Sequence, residues 1–437
     1  MGVAVTRRLG LATATLVVVA NMVGTGVFCT SGLLLDSLAT PGAVLLVWLV
    51  GGLVALCGAL CYGELATISS RNGGEYRFLS DAFHPAVGFV AGWLSLVVGF
   101  AAPIAASGLA FGTYLHAAAP AVPSVAAGAA LVLLASVAHA AGVVTGARLQ
   151  NAVTVLNVAF IVAFTAAAAW VLPAGRLERL APSGDAVTGS GFAVGLILVS
   201  YAYSGWNGAA YLAGEIREPV RTLPRALALG TGIVTLLYLA LNAVFLLGPA
   251  PGELRGVVEV GHRAAADIFG PGAGRVVSAL IACVLVSSVG SLAMVGPRVY
   301  EAMGEDYPAL RFLRLRGEGG GPWASIALQG ALALALLLTS SFGALLLYVG
   351  ILLSAMAALT VAALFVLRRR GAGAAGGYRT WGYPLTPAVF LLFSAWAIAH
   401  SLVDRPVVAA LAAATIASGL LLYRLVRTNN SSRTTHQ

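Results

Sequence analysis

Lysine is missing from this chain altogether: all 25 of its strongly basic side chains are arginines. That absence excludes a phosphate-binding loop of the GxxxxGK[ST] kind, which needs an ammonium on the phosphates. It also excludes Schiff-base chemistry and a lysine general base. Charge of either sign is scarce, at 9% of 437 residues, where soluble domains carry about 25%. With 59% of residues hydrophobic, the scarcity excludes a chain of soluble domains. Disorder is excluded too, because disordered segments are polar and charge-rich. Cysteine is limited to Cys29, Cys57, Cys61 and Cys283, each inside an apolar run. Cys57 and Cys61 share a helix face, but no further ligand of suitable type lies nearby. They read as small packing hydrophobes, and neither a disulfide nor a metal is expected. The apolar runs hold no HExxH motif and no nucleophile–base cluster, so neither an intramembrane enzyme nor a cofactor is expected.

What the chain has in quantity is long apolar segments. A membrane helix needs roughly 20 mostly apolar residues. Twelve such segments fall near 9–35, 42–66, 86–115, 122–144, 149–173, 190–215, 225–248, 276–303, 323–341, 343–367, 384–403 and 406–426. The first follows Arg7-Arg8 as a signal peptide would. It outruns the usual apolar region of such peptides, about 7–15 residues, and is read as a mature helix. An even number of spans puts both termini on one side. If that side is the cytoplasm, only Arg176, Arg179, Arg255, Arg263, Arg275 and Arg405 lie outside, and every other arginine lies inside. This is the bias of the positive-inside rule. It assigns the net charge of +9 to topology and lipid headgroups rather than to nucleic acid. The turn at Ser341-Phe342 must be tight, Val257–Phe269 reads as an external amphipathic helix, and the polar tail 429–437 reads as disordered.

Two segments are interrupted by small and polar residues. The first contains Met22-Val23-Gly24-Thr25-Gly26-Val27-Phe28, and the sixth contains Tyr201-Ala202-Tyr203-Ser204-Gly205-Trp206-Asn207-Gly208. Glycine there frees the backbone from regular helix. Unwound backbone at membrane depth is tolerated only where it is buried in protein or lines a cavity. Breaks in spans one and six are related as corresponding positions of two inverted repeats, spans one to five and six to ten. The half-helix starting near Thr25-Gly26 presents free N–H groups and a positive dipole end, suited to a carboxylate. The half-helices ending near Val23 and Ser204 present free carbonyls, suited to an ammonium. Both ends facing one cavity make a site shaped for a zwitterion, an α-amino acid. The alternative use of the glycines is close helix packing.

At these residues the chain resembles the amino acid–polyamine–organocation superfamily of transporters, most of all its L-type amino acid transporter branch. Gly24-Thr25-Gly26-Val27-Phe28 is similar to that family's G-[ST]-G-[IV]-F break. Tyr62-Gly63-Glu64-Leu65, Gly73-Gly74-Glu75-Tyr76 and Gly92-Trp93 are similar to its second and third helices. Ser204-Gly205-Trp206-Asn207, Glu215, Pro219, Arg221 and Leu223-Pro224 are similar to its sixth helix and the loop after it. Arg298 and Tyr307-Pro308 resemble the end of its eighth. The resemblance implies an all-α polytopic membrane protein with the LeuT-like fold: one transmembrane domain of twelve helices, 1 and 6 broken, working by alternating access. It divides into a first inverted repeat at 9–173, a second at 190–367 and two additional helices at 384–426. Carried over, Thr25 and Gly26 hold the substrate carboxylate. The carbonyls of Met22 or Val23, Tyr203 and Ser204 hold the amino group. Tyr201 matches the aromatic gate, and Asn207 matches a polar residue near the substrate.

Many relatives carry a lysine in helix five, in the place of a sodium ion. The matching position here is Asn157, which has no titratable amine. Asn157 is therefore expected to link helix one to helix eight, donating to carbonyls near Gly24, with Ser287 or Ser288 completing the link. No carboxylate is seen near either break, which favours neutral substrates over cationic amino acids or polyamines. Glu64 and Glu215 read as partners of Arg71, Arg217 or Arg221. The expected function is sodium-independent exchange of neutral L-amino acids across the cell membrane; proton-coupled uptake and export are the rivals. Relatives that pair with a glycoprotein use a cysteine after span three. Residues 115–122 contain none, so no disulfide-linked subunit is expected.

Overall fold

The computed structural model describes residues 9–38, 40–68, 74–142, 147–181, 189–317, 321–372 and 377–434. Arg7, Arg8, Arg71 and Gly73 lie outside the described residues. The chain is helical throughout: α1 (Leu11–Met22), α2 (Thr25–Ser37), α3 (Pro41–Ile68), α4 (Gly74–Ala82), α5 (Pro85–Leu94), α6 (Ala102–Ala118), α7 (Ser124–Ala140) and α8 (Ala147–Val171). There follow α9 (Ser190–Tyr203), α10 (Pro219–Leu247), α11 (Pro251–Leu254), α12 (Val260–Phe269), α13 (Pro271–Asp306), α14 (Trp323–Thr339), α15 (Phe342–Arg369), α16 (Leu385–Asp404) and α17 (Pro406–Thr434). Tight 3₁₀ turns of helix span Ala174–Leu180, Gly208–Glu215 and Pro308–Arg314. Helix α17 continues into the polar tail as far as Thr434, and residues 435–437 lie outside the described part.

Among the described residues, eight helices are long and apolar enough to cross a membrane, and nine if α1 and α2 count as one span bent by 41°. The expected segments 122–144 and 323–341 form α7 and α14, of 17 residues each. At 1.5 Å per residue these reach about 25 Å, short of a hydrocarbon core of about 30 Å. The segment 190–215 divides into the 14-residue α9 and a 3₁₀ helix, because Ser204 leaves the helical conformation and Gly205 takes φ +98°. The expected tight turn is present: Ser341 caps α15 by accepting from Ala344 N at 3.4 Å.

Helices apolar on every face must be buried in protein or lipid. Leu134, Trp170, Leu236 and Leu392 on α7, α8, α10 and α16 point outward, as lipid-facing side chains do. The centre is aromatic. Trp48 on α3, Tyr203 on α9 and Tyr238 on α10 pack edge to face or tilted, with centroids 5.1–5.8 Å apart, the geometry aromatic quadrupoles favour. Helices α5 and α6 form one span through a π-helical turn, Ser95–Ala101, just ahead of Pro103. Proline has no N–H to give the preceding turn, and the widened turn faces a cavity.

Candidate functional site

The two chain breaks lie against each other. Helix α1 ends at Met22, Val23 and Gly24 are extended, and α2 begins at Thr25. A β-carbon on Gly26 would stand 2.5 Å from Ala202 Cβ and nearer still to Ala202 Cα. Only glycine lets α2 meet α9 at that depth. At the second break, a β-carbon on Gly205 would stand 2.7 Å from the carbonyl carbon of Asn21, and one on Gly208 would stand 2.8 Å from Asn21 Nδ2. The last turn of α1 is thus seated in the bend after α9. Tyr238 joins the same two helices from α10: its hydroxyl lies 2.5 Å from Met22 O and 3.3 Å from Ala202 O.

Two adjoining cavities open from this contact. The smaller, about 60 Å³, is lined by Met22, Val23, Thr25, Gly26, Tyr201, Ser204 and Ser288, together with Asn21, Ser107 and Ser291. The larger, about 730 Å³, is lined by Tyr203, Ser204 and Asn207, with Asn21, Trp206 and Glu75. Asn21 and Ser204 line both. The larger cavity runs to a charged mouth at Leu9, Arg77, Glu215 and Arg298. Tyr114 is fully buried and donates to Phe28 O at 2.6 Å, while accepting from Gly261 N at 3.1 Å, which ties α2, α6 and α12 together. The helix expected at Val257–Phe269 forms as α12, from Val260 to Phe269.

Several polar groups at the breaks already have partners. Thr25 Oγ1 and Ser107 Oγ share a hydrogen bond of 2.5 Å, so Ser107 on α6 belongs to the site although sequence reasoning passed over it. Met22 O already has the Tyr238 hydroxyl as a donor. Tyr203 is buried and donates to Trp48 O at 3.0 Å. Ser288 faces the first break, its Oγ 3.4 Å from where a β-carbon on Gly24 would be. Ser287 and Asn157 line neither cavity. Asn157 is half-buried on α8, and no hydrogen bond joins it to the first break among the described residues. The expected bridge from Asn157 to the first break is therefore not among the described contacts.

A carboxylate does stand beside a break, against the expectation that none would. Glu75 on α4 is 2% exposed. It accepts from Asn207 Nδ2 at 2.7 Å, from Tyr62 Oη at 2.9 Å and from the Tyr211 hydroxyl. Burial pushes its carboxyl above the usual carboxylate range, against the lowering pull of the hydrogen bonds from Tyr211, Tyr62 and Asn207. The signal in the sequence is an acid at the start of an amphipathic segment just after Gly73-Gly74; its partner lies 132 residues away.

The other acids have arginine partners that the sequence did not single out. Glu64 receives both arms of Arg368, at 2.8 and 2.7 Å, plus Thr380 N and Oγ1 at 2.7 Å. Folding brings the end of α15 over α3, so the match is bidentate. Glu215 lies 3.9 Å from Arg298, and Arg221 lies 3.9 Å from Glu218. The chain hydrogen bonds Leu9 N to Glu215 O at 3.0 Å, which holds that carboxylate at the cavity mouth.

Comparison with known proteins follows the same features. The sequence model of the amino acid permease family matches residues 9–423. The chain is 27% identical over 407 residues to the serine/threonine exchanger SteT of Bacillus subtilis, covering 91% of each protein. It is 26% identical over 457 aligned positions to the human large neutral amino acids transporter small subunit 2, covering 97% of this chain and 81% of that protein. It is 30% identical over 256 residues to the mouse b(0,+)-type amino acid transporter 1, covering 57% of this chain and about half, 53%, of that one.

Proposed function

Because the chain belongs to the amino acid permease family, we propose that it is a secondary transporter exchanging neutral L-amino acids by alternating access. The family is one of permeases rather than of enzymes. The observation that carries the reading is the seating of two broken helices against each other, with a cavity lined from that contact out to Arg77, Glu215 and Arg298. In this reading the chain crosses the membrane twelve times in a LeuT-like 5+5 arrangement. Both termini are cytoplasmic, and the charged mouth at Arg77, Glu215 and Arg298 faces the cytoplasm.

The substrate sits where the cavities join. Its carboxylate meets the N-terminus of α2 at Thr25 and Gly26, where unpaired N–H groups and the helix dipole favour an anion. Its ammonium meets carbonyls at the ends of α1 and α9: Met22 or Val23, Tyr203 and Ser204. Tyr201 closes over it. With no lysine in the chain and Asn157 apart from the breaks, neither a titrating amine nor an amide bridge couples helix one to helix eight. The gradient of a second amino acid then drives transport, and sodium is not required. With no cysteine at 115–122, the chain works without a disulfide-linked subunit.

One observation favours a second reading, proton-coupled transport or a cationic substrate: the carboxylate of Glu75 beside Asn207. Against it, three protein donors already occupy that carboxylate. Counterflow in proteoliposomes against the twenty amino acids, with and without sodium, tests the proposal. Exchange of neutral amino acids that ignores sodium is expected. Concentrative uptake into liposomes empty of amino acid, driven by a proton or sodium gradient alone, would overturn it.

A further inference from the structure

The amide of Asn207 has two ends, and Glu75 decides which one a substrate meets. An ionised carboxylate only accepts hydrogen bonds. Asn207 therefore turns its NH₂ toward Glu75 Oε1, 2.7 Å away. Its Oδ1 is the end left for the cavity that Asn207 lines, and it takes no donor from the protein among the described residues. The carboxylate is itself immobilised from two other directions, by Tyr62 on α3 and Tyr211 on the 3₁₀ helix. Close packing fixes the pair further. Gly74 has φ +51°, and a β-carbon there would overlap the Tyr211 ring. Trp206, next to Asn207, packs edge-on against Tyr62 with centroids 4.7 Å apart.

We propose that Glu75 is a specificity-determining positioning residue: by holding the amide nitrogen of Asn207 it presents Asn207 Oδ1 as a fixed acceptor, which selects amino acids whose side chain carries a hydrogen-bond donor. This rests on the transport reading above and deepens it. The acceptor addresses the substrate side chain rather than its ammonium for a positional reason. Of the residues whose carbonyls suit an ammonium, Met22 and Val23 line only the smaller cavity and Ser204 lines both, whereas Asn207, like Tyr203, lines only the larger one. A substrate with its backbone at the helix ends extends its side chain into the larger space, toward Asn207.

The test is a ratio. Full-length protein in proteoliposomes is assayed by counterflow for kcat/KM on two near-isosteric pairs, serine with alanine and threonine with valine. The wild type is expected to favour the hydroxyl member by roughly tenfold, the size of one neutral hydrogen bond. Asn207→Ala and Glu75→Ala should each bring the ratio close to one, and the double variant should bring it no lower, because both act through one amide. Glu75→Gln should keep the wild-type ratio, since its amide oxygen accepts from Asn207 as the carboxylate does. Where Glu75→Ala does not fold, Glu75→Asp serves. It keeps the charge but withdraws the oxygens by a methylene, and its ratio should fall toward that of Asn207→Ala. A wild-type ratio in the Ala or Asp variant overturns the proposal, as does a ratio near one in the wild type. Wild-type protein that moves none of the twenty amino acids refutes the transport reading instead, and is recognisable as such.

Discussion

Replacing Gly26 with alanine adds one methyl group where the two broken helices touch. In isolation the change favours helix by about 1 kcal/mol, and Gly26 lies within α2. Its new β-carbon, however, stands 2.5 Å from Ala202 Cβ, against an ordinary carbon–carbon contact of about 3.8 Å. Helices α2 and α9 must part by about 1.3 Å, and overpacking of this kind costs typically about 1–3 kcal/mol. The backbone Cα of Ala202 is nearer still, so no rotamer change relieves the clash. A larger residue at Gly26 thus does more than occupy substrate space: stability and transport should fall together. The assay is thermal unfolding of purified protein beside counterflow. Gly24→Ala is the control, because its β-carbon would meet only Ser288 Oγ at 3.4 Å. Pairing Gly26→Ala with Ala202→Gly should rescue little, since the nearer atom is backbone. Wild-type melting and wild-type exchange in Gly26→Ala would refute this account of the contact.

Three further outcomes are expected. Tyr201→Ala should slow turnover far more than it weakens binding, because Tyr201 lines the smaller cavity at the break; a large melting shift with normal turnover would make it a packing residue instead. Arg368→Ala strands the buried Glu64 carboxylate with only Thr380 as donor and should destabilise by about 3 kcal/mol. Glu64→Gln combined with Arg368→Met should lose less, which denaturation of the two variants side by side would show. The serine-to-alanine ratio should hold on acidification. Burial raises the Glu75 carboxyl, so it protonates before ordinary carboxylates as pH drops, but its carbonyl oxygen still accepts from Asn207, as the amide oxygen of Glu75→Gln does. The groups facing it are Tyr62 from α3, and Tyr211 and Asn207 from the segment after α9. A ratio that falls in the wild type while it stays flat in Glu75→Gln would contradict this.

Much of the fold was legible in the sequence because membrane helices and their interruptions are local. Shortage of charge, apolar runs near twenty residues and glycines flanked by hydroxyls act within a turn or two of the chain. Helical spans, the break at Val23-Gly24 and the bend at Ser204-Gly205 follow from them. Length was harder to read: the apolar run around 122–144 yields a helix of only 17 residues, since its ends are set by Pro123 and by Gly142 at φ +82°. The candidate site was legible as far as residues at the breaks themselves, and Met22, Val23, Thr25, Gly26, Tyr201 and Ser204 do line one cavity. What only the tertiary structure decided are pairings between residues far apart in the chain. Glu75 meets Asn207, Glu64 meets Arg368, Ser107 meets Thr25 and Gly26 meets Ala202. No periodicity encodes such contacts, because a buried hydrogen bond depends on where a side chain ends in space. In a chain this poor in charge, the few buried polar groups must find one another wherever packing carries them.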